Sequence, residues 1–535
     1  MGILDIFKSK AKTIIEPMLP KIFDRLYDYQ KDAVLATMTN PKGIICMPTG
    51  VGKTYCQAAI IADDIIKNPK QFRMYVVNAP RIMLSYQLLK EVYGFLMKEG
   101  IEALYMFVHS GGTTDKKDLE AVRLKSKNED GDIIKGSDIG SSTSPIEIRK
   151  MMDKAKKLKL PLIFFSTYNS AERIEEARIG CTKQEITIVL NDEAHYLVQE
   201  QFHNILEKFS KLNRLLRCYF FTATLIKTPS DTGKGMNNIE DYGNVLYLMT
   251  PRHAIDIGKM VRPRIHYVVT DGIYTPDDYD KSLNIIIADT FKQHEEVLDK
   301  TKQLPKILIS TKGTQDIIGF LKSDEYKQLR LEGVDVYAVA SADEVKNRVN
   351  DDNVRRQEFL KRLKRDGEDP TKRLIVLHYD ILAEGIDVSG FTGIMPLRTL
   401  NKSKFMQTFG RSARPDKEDR KRIDSGEITP NDLDKLNKPY SYVIIPTIIR
   451  SNEDDKANLE LLIKELRDEY GYNPSEYIVS AERTHGIPER NLDDAIPIQI
   501  KHVGETIEKL DYEVEAEENA KLSKEDLLKR KYNIV

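Results

Sequence analysis

Met47-Pro48-Thr49-Gly50-Val51-Gly52-Lys53-Thr54 follows the short apolar run Gly43-Ile44-Ile45-Cys46 and precedes a helix-compatible segment. A strand that feeds a glycine-rich loop and then a helix start is a way to hold nucleotide phosphates. Loop N–H groups and the helix N-terminus point at the anion, and glycine lets the backbone approach it. In such a loop Thr49, Gly50, Val51 and Gly52 form the cradle, Lys53 reaches the β/γ-phosphates, and the Thr54 hydroxyl sits on Mg²⁺. One position departs from the strict pattern G-x-x-x-x-G-K-[ST]: Met47 stands at the first glycine.

A second motif lies downstream. The apolar run Ile186-Thr187-Ile188-Val189-Leu190 ends in Asn191-Asp192-Glu193-Ala194-His195. So apolar a run reads as a strand buried on both faces, as in parallel sheets. Open α/β sheets place ligands at the carboxyl ends of their strands. There Asp192 can hold Mg²⁺, and Glu193 can orient and deprotonate an attacking water. Two phosphate-handling motifs, in this order and on these elements, read as a nucleoside triphosphatase.

With these motifs on the page, the chain resembles the superfamily 2 helicases and translocases over roughly residues 20 to 450. Arg25-Leu26-Tyr27-Asp28-Tyr29-Gln30 is similar to the family's adenine-reading segment, which implies nucleotide roles for Arg25 and Gln30. An amide such as Gln30 offers both a donor and an acceptor to the base edge. Thr222-Ala223-Thr224 is similar to the segment that links the nucleotide site to the nucleic-acid groove, implying coupling roles for Thr222, Thr224 and His195. Leu382-Ala383-Glu384-Gly385-Ile386-Asp387-Val388 resembles motif V, with Gly385 and Asp387 expected near the nucleotide. Gln407-Thr408-Phe409-Gly410-Arg411-Ser412-Ala413-Arg414 matches Q-x-x-G-R-x-x-R. Arg411 and Arg414, three apart, share a helical face and have the fork geometry for phosphate oxygens. The resemblance implies that these arginines, with Gln407, act on ATP from a second domain, where such a finger contributes roughly 10³–10⁵ in rate. Arg81, Thr167, Ser310 and Thr311 fall where the family grips the nucleic-acid backbone, through contacts that position without reading sequence.

Composition sets limits. A chain of 535 residues has room for two or three domains with sizeable cores. Its net charge of −1 means that nucleic-acid affinity has to come from a local basic groove. Cys46, Cys56, Cys181 and Cys218 form no C-x-x-C pair, which argues against zinc and against a disulfide framework. No apolar stretch reaches membrane-spanning length, and Met1 to Ile22 is too interrupted by charge for a signal peptide. A soluble, cytoplasmic protein is expected.

The strand-like runs Gly43–Met47, Met74–Asn78, Leu162–Ser166, Ile186–Leu190 and Tyr219–Thr224 alternate with helix-compatible segments. The second half repeats the alternation with Ile265–Thr270, Lys306–Ser310, Val334–Ala340, Arg373–Leu377, Gly393–Leu397 and Tyr440–Pro446. This is the pattern of doubly wound parallel sheets. The expected fold is therefore α/β, with two tandem RecA-like domains. Residues 1–20 read as a lead-in helix, 21–255 as the first domain with a polar insertion at 109–149, and 256–450 as the second. Residues 451–535, rich in Glu and Lys, read as a small helical C-terminal region. The charged stretch Asp343 to Arg373 reads as a solvated helix.

The expectation is an ATP- and Mg²⁺-dependent motor on DNA, single-stranded or forked. Any nuclease is expected on a separate chain, since only some twenty residues precede the adenine-reading segment. Two alternatives stay open: an RNA-remodelling ATPase of the same architecture, and a nucleotide-switched nucleic-acid-binding factor that does not translocate.

Overall fold

The computed structural model describes residues 20–109, 139–179, 185–199, 202–203, 217–228, 234–270, 279–299, 301–340, 345–379, 388, 390–398, 400, 402–448, 462–464, 466–472 and 477–481. The chain divides into two compact units: among the described residues, the first holds those up to Met47 and Gly52–Leu248, and the second holds Pro48–Val51 and those from Met249 onward. Each is built on one sheet.

The first sheet contains β1 (Lys42–Cys46), β2 (Met74–Ala79), β3 (Leu104–Val108), β4 (Ile139–Ser141), β5 (Leu162–Thr167), β6 (Ile186–Asn191), β7 (Arg217–Thr222) and β8 (Asn244–Leu248). Their order is β4-β3-β5-β2-β6-β7-β1-β8, with every pairing parallel. Every residue of β2 and β5 is buried, because helices cover both faces. Ile44, Val76, Phe164, Val189 and Phe220 meet in one core cluster. Truncating Phe164 to alanine there would cost about 3–5 kcal/mol.

The second sheet contains β9 (Arg262–Thr270), β10 (Lys306–Ser310), β11 (Val334–Val339), β12 (Arg348–Val349), β13 (Asp352–Asn353), β14 (Arg373–His378), β15 (Gly393–Pro396), β16 (Tyr440–Ile448) and β17 (Tyr477–Ala481). The order is β13-β12-β11-β14-β10-β15-β16-β9-β17. Only the short β12 and β13 run antiparallel to their neighbours. The chain thus has the expected class: α/β, with two predominantly parallel sheets covered by helices.

Several local readings need correction. β3, a fully buried Leu-Tyr-Met-Phe-Val run, and the half-buried edge strand β8 both join the first sheet although neither was expected. Part of the stretch read as a polar insertion is structural. Ile139-Gly140-Ser141 pairs with β3, and a helix begins at Pro145; residues 110–138 lie outside the described residues. The C-terminal stretch read as helical does contain helix at 466–470, but Tyr477–Ala481 is a strand paired in parallel with β9. The solvated helix expected between Asp343 and Arg373 is present at Arg356–Glu368, after the small β12/β13 hairpin. The lead-in helix at 1–20 falls almost wholly outside the described residues, as do motif V residues Gly385 and Asp387.

Candidate nucleotide site

β1 runs into the glycine-rich loop, and the helix Lys53–Lys67 starts directly after it. Gly50 (φ 88°) and Gly52 (φ 87°) occupy the left-handed region that residues with a Cβ avoid. A Cβ on Gly52 would also lie 2.4 Å from Gln30 Nε2. Met47 has no such need. It is buried, is not among the positive-φ residues, and its N–H donates to Thr222 O at 2.9 Å, extending the β1–β7 ladder by one residue. The departure from the strict motif therefore costs the loop no backbone freedom.

The helix that follows has no acidic residue in its first turn and no side-chain N-cap, so its terminal N–H groups and positive dipole end stay suited to an anion. Lys53 is buried and donates from Nζ to Met47 O at 3.2 Å, folded back over its own loop. Thr54 is half-buried one residue later. Thr49 Oγ1 is buried with no hydrogen-bond partner.

Asp192 and Glu193 stand at the carboxyl end of β6, one strand from β7 and two from β1. Asp192 is buried and accepts from Gln57 Nε2 at 2.8 Å. Burial holds its carboxyl well above the usual carboxylate range, and the neighbouring Glu193 charge pushes in the same direction. Glu193 has φ 47° and ψ 48°, a left-handed conformation rare outside glycine, which turns the chain sharply at the strand end. Such strain costs on the order of 1–3 kcal/mol and persists only where the surroundings over-determine it. Its Oε2 is buried without a hydrogen bond.

His195 connects this strand end to the next. Its Nδ1 lies 3.3 Å from Thr222 Oγ1 and 3.5 Å from Glu193 Oε2. Thr222 Oγ1 already donates to Thr224 O at 2.8 Å, so toward His195 it accepts, which assigns the proton to Nδ1. Burial lowers the His195 pKa, keeping the ring neutral. The Thr224 N–H donates back to Thr222 Oγ1 at 3.1 Å, closing the turn. Glu193, His195, Thr222 and Thr224 are thus brought together.

Sequence reasoning missed the groups behind them. Ser166 Oγ donates to Asn78 Oδ1 at 2.6 Å, and Asn78 Nδ2 donates to Asn191 Oδ1 at 3.0 Å, a polar row across β5, β2 and β6. Tyr168 donates to Asp192 O at 2.6 Å from a wholly buried hydroxyl whose pKa burial raises. The only available signal was polar side chains ending otherwise apolar strands.

The remaining expected residues differ in setting. Gln30 Oε1 accepts from the Tyr27 N–H at 3.0 Å and its Nε2 donates to Gly52 O at 3.4 Å, setting the amide against the loop. Arg25 pairs with Glu99 at 2.6 Å. Arg81 is exposed at the start of the helix Ile82–Lys98. Thr167, Ser310 and Thr311 are buried and bonded inside their own units: Thr167 to Ser170 Oγ, Ser310 to His378 Nε2, and Thr311 to Gly313 O. In the second unit, Gln407 and Arg411 are buried on the helix Lys402–Ser412, and Arg414 is half-buried just beyond it. Phe409 on that helix meets Tyr470 edge-on at 4.9 Å, so the C-terminal stretch rests on it.

Among the described residues, no group of three or more His, Cys, Asp or Glu could hold a metal ion, and no helix is long and apolar enough to cross a membrane. Cys46, Cys56 and Cys218 are buried free thiols, and burial raises the Cys56 and Cys218 pKa values to about 12.

Residues 24–227 match the family model of the type III restriction enzyme, res subunit. Among curated proteins, none matches the chain. Of the solved structures, the ATP-dependent Type ISP restriction-modification enzyme LlaBIII bound to DNA is similar with a TM-score of 0.60 and 15% identity, over 90% of this chain and 33% of that one. The chain therefore spans about a third of that enzyme's length. The DEAD-box helicase Mss116 bound to ssRNA and UDP-BeF is similar at a TM-score of 0.51 and 15% identity, over 93% of this chain and 87% of the other. A fragment of a putative HsdR subunit of a type I restriction enzyme from Vibrio vulnificus YJ016 gives 0.50 and 14%, over 88% and 72%. At these identities the likeness is one of fold, that of tandem RecA-like helicase domains. The family match covers residues 24–227, less than half of the chain.

Proposed function

We propose that the protein is an ATP- and Mg²⁺-dependent motor on nucleic acid, with DNA as its polymer. The observation that carries the reading is the convergence, in the first unit, of the left-handed Gly52, a folded-back Lys53 at the helix start, and the Asp192-Glu193 pair at the end of β6, which the helix reaches through Gln57. The donor set fits a magnesium-bound nucleotide. Asp192 and Glu193 share a desolvated site that disfavours two negative charges, and the Thr54 hydroxyl adds a hard oxygen. Thr49 Oγ1 and Glu193 Oε2 are buried oxygens that accept no hydrogen bond, the second lying 3.5 Å from His195 Nδ1. When bound, Mg²⁺ supplies charge neutralisation on the β- and γ-phosphates.

In this mechanism the loop amides and Lys53 bind the phosphates, and Gln30 meets the base edge beside the loop. Asp192 and Thr54 would hold the metal. Glu193 orients the attacking water and takes its proton. Arg411 and Arg414, carried by the second unit with Gln407, place positive charge where negative charge develops on the transferring phosphoryl group. His195, Thr222 and Thr224 pass the state of Glu193 to the end of β7. Arg81 supplies a phosphate contact to the strand, and repeated cycles move the polymer. A DNA substrate is supported by the restriction-enzyme family model and by the DNA-bound LlaBIII fold; the RNA-bound Mss116 fold supports the competing RNA-remodelling reading.

The test is steady-state ATP turnover, alone and with single-stranded DNA, duplex DNA, forked DNA or RNA, beside Lys53→Ala. DNA-stimulated turnover that Lys53→Ala lowers by at least about a hundredfold is expected, the scale for losing one pre-organised phosphate clamp. Stimulation by RNA alone would select the competing reading. Turnover indifferent to every polymer would end the motor reading.

A further inference from the structure

Three consecutive carbonyls follow the helix Lys402–Ser412, and each is held by a donor from elsewhere in the second unit. Lys438 Nζ donates to Ser412 O and to Arg414 O, both at 2.7 Å. Val261 N–H donates to Ala413 O at 2.8 Å between them. Ser441 Oγ donates to Ser412 Oγ at 2.7 Å, and Ser412 Oγ donates on to Phe409 O at 2.9 Å. The backbone on both sides of the second arginine is therefore pinned rather than left as a frayed helix end.

Lys438 is itself fixed. Its N–H and that of Asn437 donate to the two oxygens of Asp419, each at 2.8 Å, and Asp419 is fully buried. Asp419 lies on the helix Lys417–Asp424, three residues after its N-cap Asp416. The ammonium is buried, its charge directed at carbonyls that a helix end leaves without intrahelical partners. A cation is costly to bury, and an apolar side chain would leave both carbonyls unsatisfied. Burial lowers the Lys438 pKa to about 7, against which the nearby Asp416 charge favours the ammonium form.

We propose that Lys438 is a positioning residue for ATP hydrolysis: by clamping the carbonyls of Ser412 and Arg414, it sets the direction in which Arg411 and Arg414 leave the backbone. The proposal rests on the nucleotide reading above. It assigns Lys438, some 24 residues past the motif and without a motif of its own, to the catalytic cycle through the arginines rather than through any contact with nucleotide.

The experiment compares full-length wild type, Lys438→Met, Arg414→Ala and the double variant. It measures DNA-stimulated ATP turnover, nucleotide binding by a fluorescent ATP analogue, and thermal melting. Lys438→Met should lower kcat by about ten- to a hundredfold with KM and nucleotide affinity little changed, since a group displaced by about 1 Å can lose on the order of 10²-fold. In the Arg414→Ala background the same change should cost clearly less, because part of the clamp's effect runs through that arginine. Equal losses in both backgrounds, or a rise in KM at constant kcat, would overturn the proposal. If Lys438→Met melts below the assay temperature, Lys438→Gln, which keeps one donor for one carbonyl, carries the same comparison with an intermediate loss expected. A wild type that turns over no ATP removes the nucleotide reading; an active wild type beside an equally active Lys438 variant removes this proposal alone.

Discussion

Gln57 Nε2 donates to Asp192 Oδ1 at 2.8 Å, so the helix that begins at the glycine-rich loop also aims the carboxylate at the end of β6. Both side chains are buried, and the bond favours the charged form of a carboxylate that burial otherwise disfavours. Gln57→Leu removes this support while keeping the bulk. The magnesium concentration for half-maximal turnover should rise by about tenfold or more, the scale found when a partner orienting a metal ligand is lost. A magnesium titration of the variant beside wild type decides it, and coincident curves would reject the link.

Glu193→Gln separates binding from chemistry. It keeps size and shape but cannot accept the water's proton, so turnover should fall by about 10²–10⁴-fold. ATP and single-strand binding should persist. Failure to bind ATP would show that Glu193 holds the nucleotide instead of the water.

Thr222 is the joint between His195 and the Thr224 turn. Thr222→Val preserves shape and deletes the hydroxyl that His195 and the Thr224 N–H both use. Basal turnover should survive, while stimulation by nucleic acid should shrink by about five- to a hundredfold, the usual span of coupling free energies between sites. Equal loss of basal and stimulated turnover would assign Thr222 to the chemistry itself.

The second unit contains a sealed histidine pair. His266 Nδ1 and His294 Nδ1 lie 3.3 Å apart, His294 Nε2 meets Thr392 Oγ1 at 3.1 Å, and the ring of Tyr442 packs edge-on against His294. Neither histidine is exposed. Burial lowers the His266 pKa to about 4, and burial together with the neighbouring His266 holds that of His294 well below the ordinary imidazole value. The unfolded chain binds protons near the ordinary imidazole value while the folded chain does not, so stability falls as pH drops from about 6.5 toward 4. Each histidine contributes a slope of up to about 1.4 kcal/mol per pH unit in that window. Thermal melts from pH 7 to 4.5 should show the loss, and His266→Gln should flatten it. A pH-independent melt would mean that the pair takes up protons in the fold as readily as in the unfolded chain.

Much of the fold was readable beforehand because fully buried parallel strands impose strict local chemistry. Lys42–Cys46, Ile186–Asn191 and Lys306–Ser310 appear where the apolar runs placed them. Leu104–Val108 went unread because five consecutive apolar residues carry no period that separates strand from helix. Ile139-Gly140-Ser141 pairs through its backbone alone and offered no hydrophobic signal. Within the candidate site, the loop and the acidic pair were legible from residue type. Gln57, Tyr168 and Asn78 were not, since their importance comes from which strand ends the sheet order brings side by side. Buried Thr167, Ser310 and Thr311 likewise show that a small polar residue at a strand terminus is often spent on its own fold.

The strand Tyr477–Ala481 runs beside Ile265–Val269 of β9 and forms the last rung of the second sheet. A protein shortened to residue 450 would retain every recognisable motif yet uncover five ladder positions of β9. Bare, apolar, unpaired backbone of that kind is a template for pairing with other molecules. Self-association of such a truncated protein would thus arise from a missing selvage, not from damage to the candidate nucleotide site.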